Sequence, residues 1–387
     1  MVELKLQIDR LLAMAMAGTD APWPDTWHAA DGKAVLVERA IYHGIASVLI
    51  EQEGRLIAWP IDVLASLREQ AVGQAMWEMR HRLVLTRLLA ALDHNGIKAI
   101  LLKGTALAYD LYENPSTRTR GDTDILVARC DLAPARAILE TAGFRRDVQS
   151  EGASDELSLQ EVWNLTLSDG TSHTIDLHWQ AINSLALQET LSFADCSKDP
   201  LKLPRLCDAA LTMDRRTALI FACMHRAAHI TSPYIVDDVT YYGGDRLIWA
   251  YDIHLLAAAL APGEWDRLCA DALDKGLGAV CLDGLIFARK RLRTRIPGDV
   301  MARLAAAPPD ARASAYLLHS GQAGRALKDL QAVPGLSGKV RFLIMRALPS
   351  RSFMRGKYPH MQGRPLALLY LRRLAELVRK RPERSER

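Results

Sequence analysis

Two aspartates one residue apart, in Arg118-Thr-Arg120-Gly-Asp122-Thr-Asp124-Ile-Leu-Val127, constrain this chain more than any other feature. An extended segment sends alternate side chains to opposite faces, so both carboxylates point the same way, about 6.6 Å apart along the strand. Thr123, Ile125 and Val127 take the other face. Like charges so placed repel unless a cation lies between them, and the pair therefore predicts a divalent-metal site at a strand's mouth. A third acid is expected nearby. In His173-Thr-Ile-Asp176-Leu-His178-Trp179 the apolar Ile175, Leu177 and Trp179 alternate with Thr174, Asp176 and His178, which suits a strand that buries one face and holds Asp176 beside the pair. Asp122, Asp124 and Asp176 together can bind two Mg²⁺ ions about 4 Å apart, the arrangement used for in-line displacement at phosphorus.

The residues just upstream read as a phosphate site. Ile97 to Leu102 is a short apolar run suited to a buried strand, and Lys103-Gly104 ends it where the backbone must turn. Thr105 is placed to cap the helix that follows, which would turn its hydroxyl and the free N–H groups of the first turn toward an anion.

Lys103-Gly104-Thr105, Arg118, Asp122-x-Asp124 and Ile175-Asp-Leu-His-Trp179, in that order, resemble the nucleotidyltransferase superfamily that includes DNA polymerase beta, and more closely its branch of uncharacterised nucleotidyltransferases. The resemblance runs from the helix before Ile97 through Asp252. Many members carry Gly-Ser where this chain has Gly104-Thr105, and their acidic pair follows after a shorter interval than the one here, which holds Asn114-Pro115-Ser116.

The resemblance implies transfer of a nucleoside monophosphate from a nucleoside triphosphate, ATP by cellular abundance, to a hydroxyl acceptor, with pyrophosphate leaving. It assigns Asp122, Asp124 and Asp176 as ligands to two Mg²⁺ ions, with Mn²⁺ as a substitute, and Asp176 as general base. Gly104 and Thr105 would hold the terminal phosphates, and Lys103 or Arg118, with Arg120 beside them, would offset charge on the leaving group. The histidines His178, His225 and His229 would line the acceptor side. His225 and His229 are one helical turn apart, followed by Asp237-Asp238. They lack the Glu of a metalloprotease helix and a third zinc ligand fixed by spacing. The related element Trp249-Ala-Tyr-Asp252 follows without an assigned role.

The fold class read from these patterns is α+β: a small mixed-sheet nucleotidyltransferase core between helical regions. Residues 1–95 form an N-terminal helical region, 96–180 the core, 181–330 a helical acceptor-side domain, and 331–387 a basic segment with an amphipathic helix. Helical spacing runs over Val2–Ala17, Lys33–Gln52 and Ile61–Asp93. In the last of these, Val63, Leu64, Leu67, Met76, Met79, Leu83, Val84, Leu88, Leu89 and Leu92 fit one long amphipathic helix. Asp131 caps a helix through Thr141. Glu161–Ser168 and Ser172–Trp179 form a hairpin across Asp169-Gly170-Thr171. Gly321 to Gly338 reads as a linker or a set of turns.

Composition bounds the remaining choices. At 387 residues, 49% hydrophobic and 24% charged, the chain is a globular protein of two or three packed units. It has no apolar run long enough to span a membrane and no signal-peptide pattern, so the cytoplasm is the expected location. Its six cysteines form no Cys-x-x-Cys pair and read as reduced. Residues 339–387 hold 14 Lys/Arg against three Asp/Glu, leaving 35 against 42 elsewhere. Such a tail can attract nucleic acid or an anionic surface, or dock on the body of the protein. Its aromatics Phe342, Phe353, Tyr358 and Tyr370 are too scattered to stack bases. A small-molecule, peptide or protein acceptor therefore ranks above a nucleic-acid 3′ end. A non-catalytic nucleotide sensor or partner-binding protein is the competing class, against which the presence of all three acids argues.

Overall fold

The structure, a computed structural model, describes residues 2–27, 30–147, 155–230, 233–236, 239–242, 244–348, 351–358, 361 and 363–379. Three helices lead in: α1 (Val2–Met16), α2 (Ala30–His43) and α3 (Ala46–Glu51). The single helical pattern expected over Lys33–Gln52 breaks at Gly44, whose φ of 69° is a left-handed value that glycine adopts without strain. Then comes α4 (Ile61–His94), one helix of 34 residues. Gly96, at φ 72°, turns the chain into the sheet.

The sheet region runs β1 (Ile100–Leu101), α5 (Lys103–Asp110), β2 (Asp122–Leu126), α6 (Leu132–Thr141), β3 (Arg145–Arg146), β4 (Gln160–Thr166), β5 (Ser172–His178), α7 (Phe193–Ser197), β6 (Leu201–Lys202) and β7 (Leu211–Thr212). These strands form one mixed sheet in the order β3-β4-β5-β2-β1-β7-β6. The β4–β5 hairpin forms across Asp169-Gly170-Thr171 as its turn residues predict, with Leu167 N–H donating to Thr171 O at 2.9 Å. Asp131 occupies the cap position of α6, yet its side chain makes no capping hydrogen bond.

Helices then dominate: α8 (Arg215–His229), a two-stranded ribbon of β8 (Pro233–Val236) and β9 (Val239–Tyr242), α9 (Leu247–Ala259), α10 (Pro262–Asp274), α11 (Gly278–Leu292), α12 (Gly298–Ala305), α13 (Arg312–His319), α14 (Gln322–Ala332), α15 (Leu336–Ala347), α16 (Arg351–Lys357) and α17 (Leu366–Arg379). The fold is α+β. The glycine-rich stretch 321–338 is not a linker: Gly321 and Gly335 sit at the starts of α14 and α15 instead of interrupting them. Buried Asp329 fastens α14 to the body by accepting from Ser184 Oγ, Ala186 N–H and Tyr316 Oη.

Two cores result. One packs α1–α3 against α8–α13 through residues such as Leu12, Leu36, Leu49, Ile253 and Leu285. The other fills the space between the sheet and α4, α5 and α6, with Leu85, Leu88, Ile125, Trp163 and Trp179. The helix α4 therefore buries Leu67, His81, Leu85 and Leu88 along one side, whereas Met76, Met79 and Leu83, expected on that same apolar face, are exposed on the opposite one.

Buried polar groups make this fold acid-sensitive. His81 is fully buried and held down at about 3, by burial first, then by the charge of Arg120 and by His173. His43 is held at about 4, chiefly by burial, against the opposing pull of Asp9. Both imidazoles stay neutral in the fold while an unfolded chain protonates them near 6.5. Stability is thus full above about pH 6.5 and falls as pH drops toward 4, at about 1.4 kcal/mol per pH unit for each group. Denaturant titrations at pH 6.5 and 5 are expected to differ by about 3 kcal/mol for the two together. His81→Asn should flatten that slope by one proton. An unchanged slope in the variant would remove His81 from this account.

Candidate active site

The site forms where β2 lies between β5 and β1. Strands β2 and β5 are parallel, in a register that sets Asp124 opposite Asp176, while Leu102 N–H donates to Asp124 O at 3.0 Å from the β1 side. The alternation read from the sequence puts the carboxylates on one face of β2 and Thr123 on the other. Asp124 is buried, Asp176 half-buried, and Asp122 exposed at the mouth of the strand.

Asp124 is the hub. Its Oδ1 accepts from Lys103 Nζ at 2.5 Å and from His178 Nε2 at 3.0 Å. Burial opposes its charge, but Lys103 and His178 outweigh that and hold the carboxyl well below the usual range. Asp176 has no such partners. Burial, then the charges of Asp124 and Asp122, push it up to about 8. Asp122 is raised as well, first by the low-polarity enclosure on its inner side and then by Asp124, although its outer side meets solvent. Lys103 is also raised, its enclosure overcome by Asp124.

Carboxyl oxygens of Asp124 and Asp176 and a ring nitrogen of His178 lie within 4.8 Å of one another. The Nδ1 of His178 is buried without a hydrogen-bond partner. Two carboxylates in register, one of them charged only at a cost, together with an imidazole suit a hard divalent cation. His178, expected on the acceptor side, thus stands directly against the acidic pair.

The turn before α5 differs from expectation in a useful way. Lys103, not Gly104, takes the left-handed conformation, at φ 49°. A non-glycine residue there is strained, and such strain concentrates at functional positions. Gly104 lies beneath two arginines: a Cβ on it would come 3.5 Å from Arg120 Cδ and 3.6 Å from Arg118 Cζ. Thr105 does not cap the helix. The N-cap is Leu102, and the Thr105 hydroxyl is turned inward, 2.7 Å from Thr123 Oγ1 and accepting from Arg120 Nε at 3.0 Å. Thr123 in turn meets His81 Nε2 at 2.7 Å. The back of the acidic strand is thereby hydrogen-bonded to both α4 and α5.

Both arginines are buried and paired. Arg118 grips Asp252 through Nε (2.9 Å) and Nη2 (2.7 Å), and its Nη1 donates to Thr119 O. Tyr112 Oη donates to the same carboxylate at 2.7 Å. Arg120 Nη2 binds Glu78, which also accepts from Tyr109 Oη at 2.5 Å. Asp252, Glu78 and His81 are the residues that sequence reasoning left without a role. Their signal was polarity at buried helical positions: Glu78 and His81 three apart on the apolar side of α4, and Asp252 in an almost wholly apolar α9.

Two cavities meet at Lys103 and His225. One, of about 30 Å³, is bounded by Lys103, Arg118, His225, Trp249 and Asp252. The other is a cleft of about 310 Å³, with Lys103, His178, His225, His229, Tyr316 and Arg325 among its walls. The rings of His225 and His229 are 4.4 Å apart. His225 is held well below its ordinary value by burial and then by His229, so it faces the cleft as a neutral imidazole. Among the described residues no third Cys, Asp or Glu joins these two histidines in a metal-sized cluster. Asp237 and Asp238 lie outside the described residues. All six cysteines are free thiols, with Cys130 exposed. No helix among the described residues is long and apolar enough to cross a membrane.

A family model described as "Uncharacterised nucleotidyltransferase" matches residues 32–293, about two thirds of the chain. The chain belongs to this family, which makes it a nucleotidyltransferase with a nucleoside triphosphate as substrate class. No curated protein matches it.

Proposed function

We propose that this nucleotidyltransferase moves a nucleoside monophosphate from a nucleoside triphosphate, to be tested first with ATP, onto a hydroxyl of a small molecule or of a protruding peptide or protein side chain. The observation that carries the reading is the parallel register that places Asp176 beside Asp124, with Asp122 two residues away and Lys103 against the pair. Asp122, Asp124 and Asp176 would hold two Mg²⁺ ions, or Mn²⁺, with His178 adjoining. Divalent ions there supply Lewis acidity toward phosphate oxygens and the acceptor hydroxyl.

The chain's own groups do the rest. Asp176, with the least compensated carboxylate of the three, takes the acceptor's proton. Lys103, tied to Asp124 and still partly accessible, offsets charge on the departing pyrophosphate, and the backbone N–H groups at the start of α5 cradle its oxygens. Arg118, fixed by Asp252, borders the small cavity beside Lys103 and would add its charge toward the same phosphates. The cleft at His178 and His225 receives the acceptor; its volume of about 310 Å³ is at the low end for small-molecule pockets, which run from about 300 to 1,000 Å³.

Calorimetry with a non-hydrolysable triphosphate tests this directly. Binding is expected only with Mg²⁺, and Asp122→Ala/Asp124→Ala should weaken it at least tenfold. Failure of all four triphosphates to bind, or equal binding by the double variant, would sink the assignment of the site.

A further inference from the structure

The long helix α4 carries a second apolar face that no described residue covers. At 100° per residue, Ile61, Val72, Met76, Met79, Leu83 and Ala90 fall within an arc of about 60°. The central four are spaced by 4, 3 and 4 residues, the repeat of a helix–helix seam. Ile61, Val72, Met76, Met79 and Leu83 are between 51% and 82% exposed, on the side opposite buried Leu67, His81 and Leu85. Scattered exposed hydrophobics are ordinary, but four in single file, Val72, Met76, Met79 and Leu83, along about 17 Å of one helix make a patch. Beside it, Gly73 has no atom within 4 Å of where a Cβ would stand.

Charge identifies the occupant. Glu69 and Arg87 lie on the same flank of the seam, one toward each end, and neither forms an ion pair with a described residue. In an antiparallel helix pair each flank meets the same flank of its neighbour. A two-fold axis between Met76 and Met79 would set Val72 against Leu83 of the partner subunit and Glu69 against Arg87 of the partner subunit. Parallel pairing sets each flank against the opposite one, so Glu69 and Arg87 never meet there. The seam is thus complementary to itself in one orientation.

We propose that two copies of this chain associate through α4, antiparallel, with Met76 and Met79 at the two-fold axis. The pairing braces the helix whose other face holds Thr123 through His81 and Arg120 through Glu78. Flexible methionines at the centre suit a surface that must pack on its own image.

Sedimentation equilibrium on the full chain from about 1 to 200 µM tests this. A monomer of 42.9 kDa giving way to a species of about 86 kDa in the micromolar range is expected. Met79→Lys, at an exposed position that costs the fold little, should weaken association about a hundredfold with an unchanged circular dichroism spectrum. Glu69→Arg should weaken it about tenfold, and Glu69→Arg/Arg87→Glu should restore it to within about threefold. A chain that stays at 42.9 kDa throughout, or a dimer indifferent to Met79→Lys, would overturn the proposal. So would co-purification of a different polypeptide that Met79→Lys releases.

Discussion

Asp124→Asn is expected to lower the rate of nucleotidyl transfer at least about a thousandfold. Removing one electrostatic group from a preorganised site costs about 10²–10³ in turnover, and Asp124 serves several neighbours at once. It holds Lys103 Nζ at 2.5 Å and His178 Nε2 at 3.0 Å, and it lies in register with Asp176. Asparagine keeps the shape and one acceptor oxygen but loses the charge that holds Lys103 in place. Single-turnover transfer of label from an α-labelled triphosphate measures the effect, with thermal melting alongside to separate chemistry from folding. Asp176→Asn gives the contrasting result: turnover falls comparably, while affinity for the triphosphate stays within about threefold, because a proton acceptor acts in the transition state and less in binding. An Asp124→Asn enzyme within tenfold of wild type would remove that residue from the chemistry.

The part of this site that could be read in the sequence is the part that rests on strand alternation. A period of two put Asp122 and Asp124 on one face and made Asp176 the polar face of a buried strand. The hairpin turn Asp169-Gly170-Thr171 then fixed which strand was β5's partner on one side. What alternation cannot supply is the rotamer of a side chain after a turn. Thr105 follows a glycine at the start of a helix, the setting of a phosphate-facing hydroxyl, yet the helix begins three residues early, at left-handed Lys103, and Thr105 turns inward to Thr123. Nor can spacing show which acid answers a buried arginine when the two are 134 residues apart, as Arg118 and Asp252 are. The glycine-rich stretch misled for a related reason. Glycines at helix starts and glycines in a linker look alike in composition, and only Asp329, buried by three hydrogen bonds, distinguishes them.

Asp252→Ala should cost about 3–5 kcal/mol of stability, the usual penalty for removing one partner of a buried ion pair. Arg118 and Asp252 are both buried, and the carboxylate accepts two bonds from the guanidinium and one from Tyr112. Alanine leaves the Arg118 charge without its counter-ion and the Tyr112 hydroxyl without its acceptor in the core between α5 and α9, and the melting temperature is expected to fall by about 5–10 °C. Asp252→Asn, which keeps acceptor capacity for Tyr112, should lose less. Replacing the whole pair, Asp252→Leu/Arg118→Met, removes both buried charges together and should recover most of the stability. Stability and function then separate. If Arg118 faces the triphosphate, the double variant melts near wild type but binds the nucleotide at least tenfold more weakly. If its affinity stays within twofold of wild type, Arg118 and Asp252 are a structural bolt between two helical layers, and the phosphate site narrows to Lys103 and the first turn of α5.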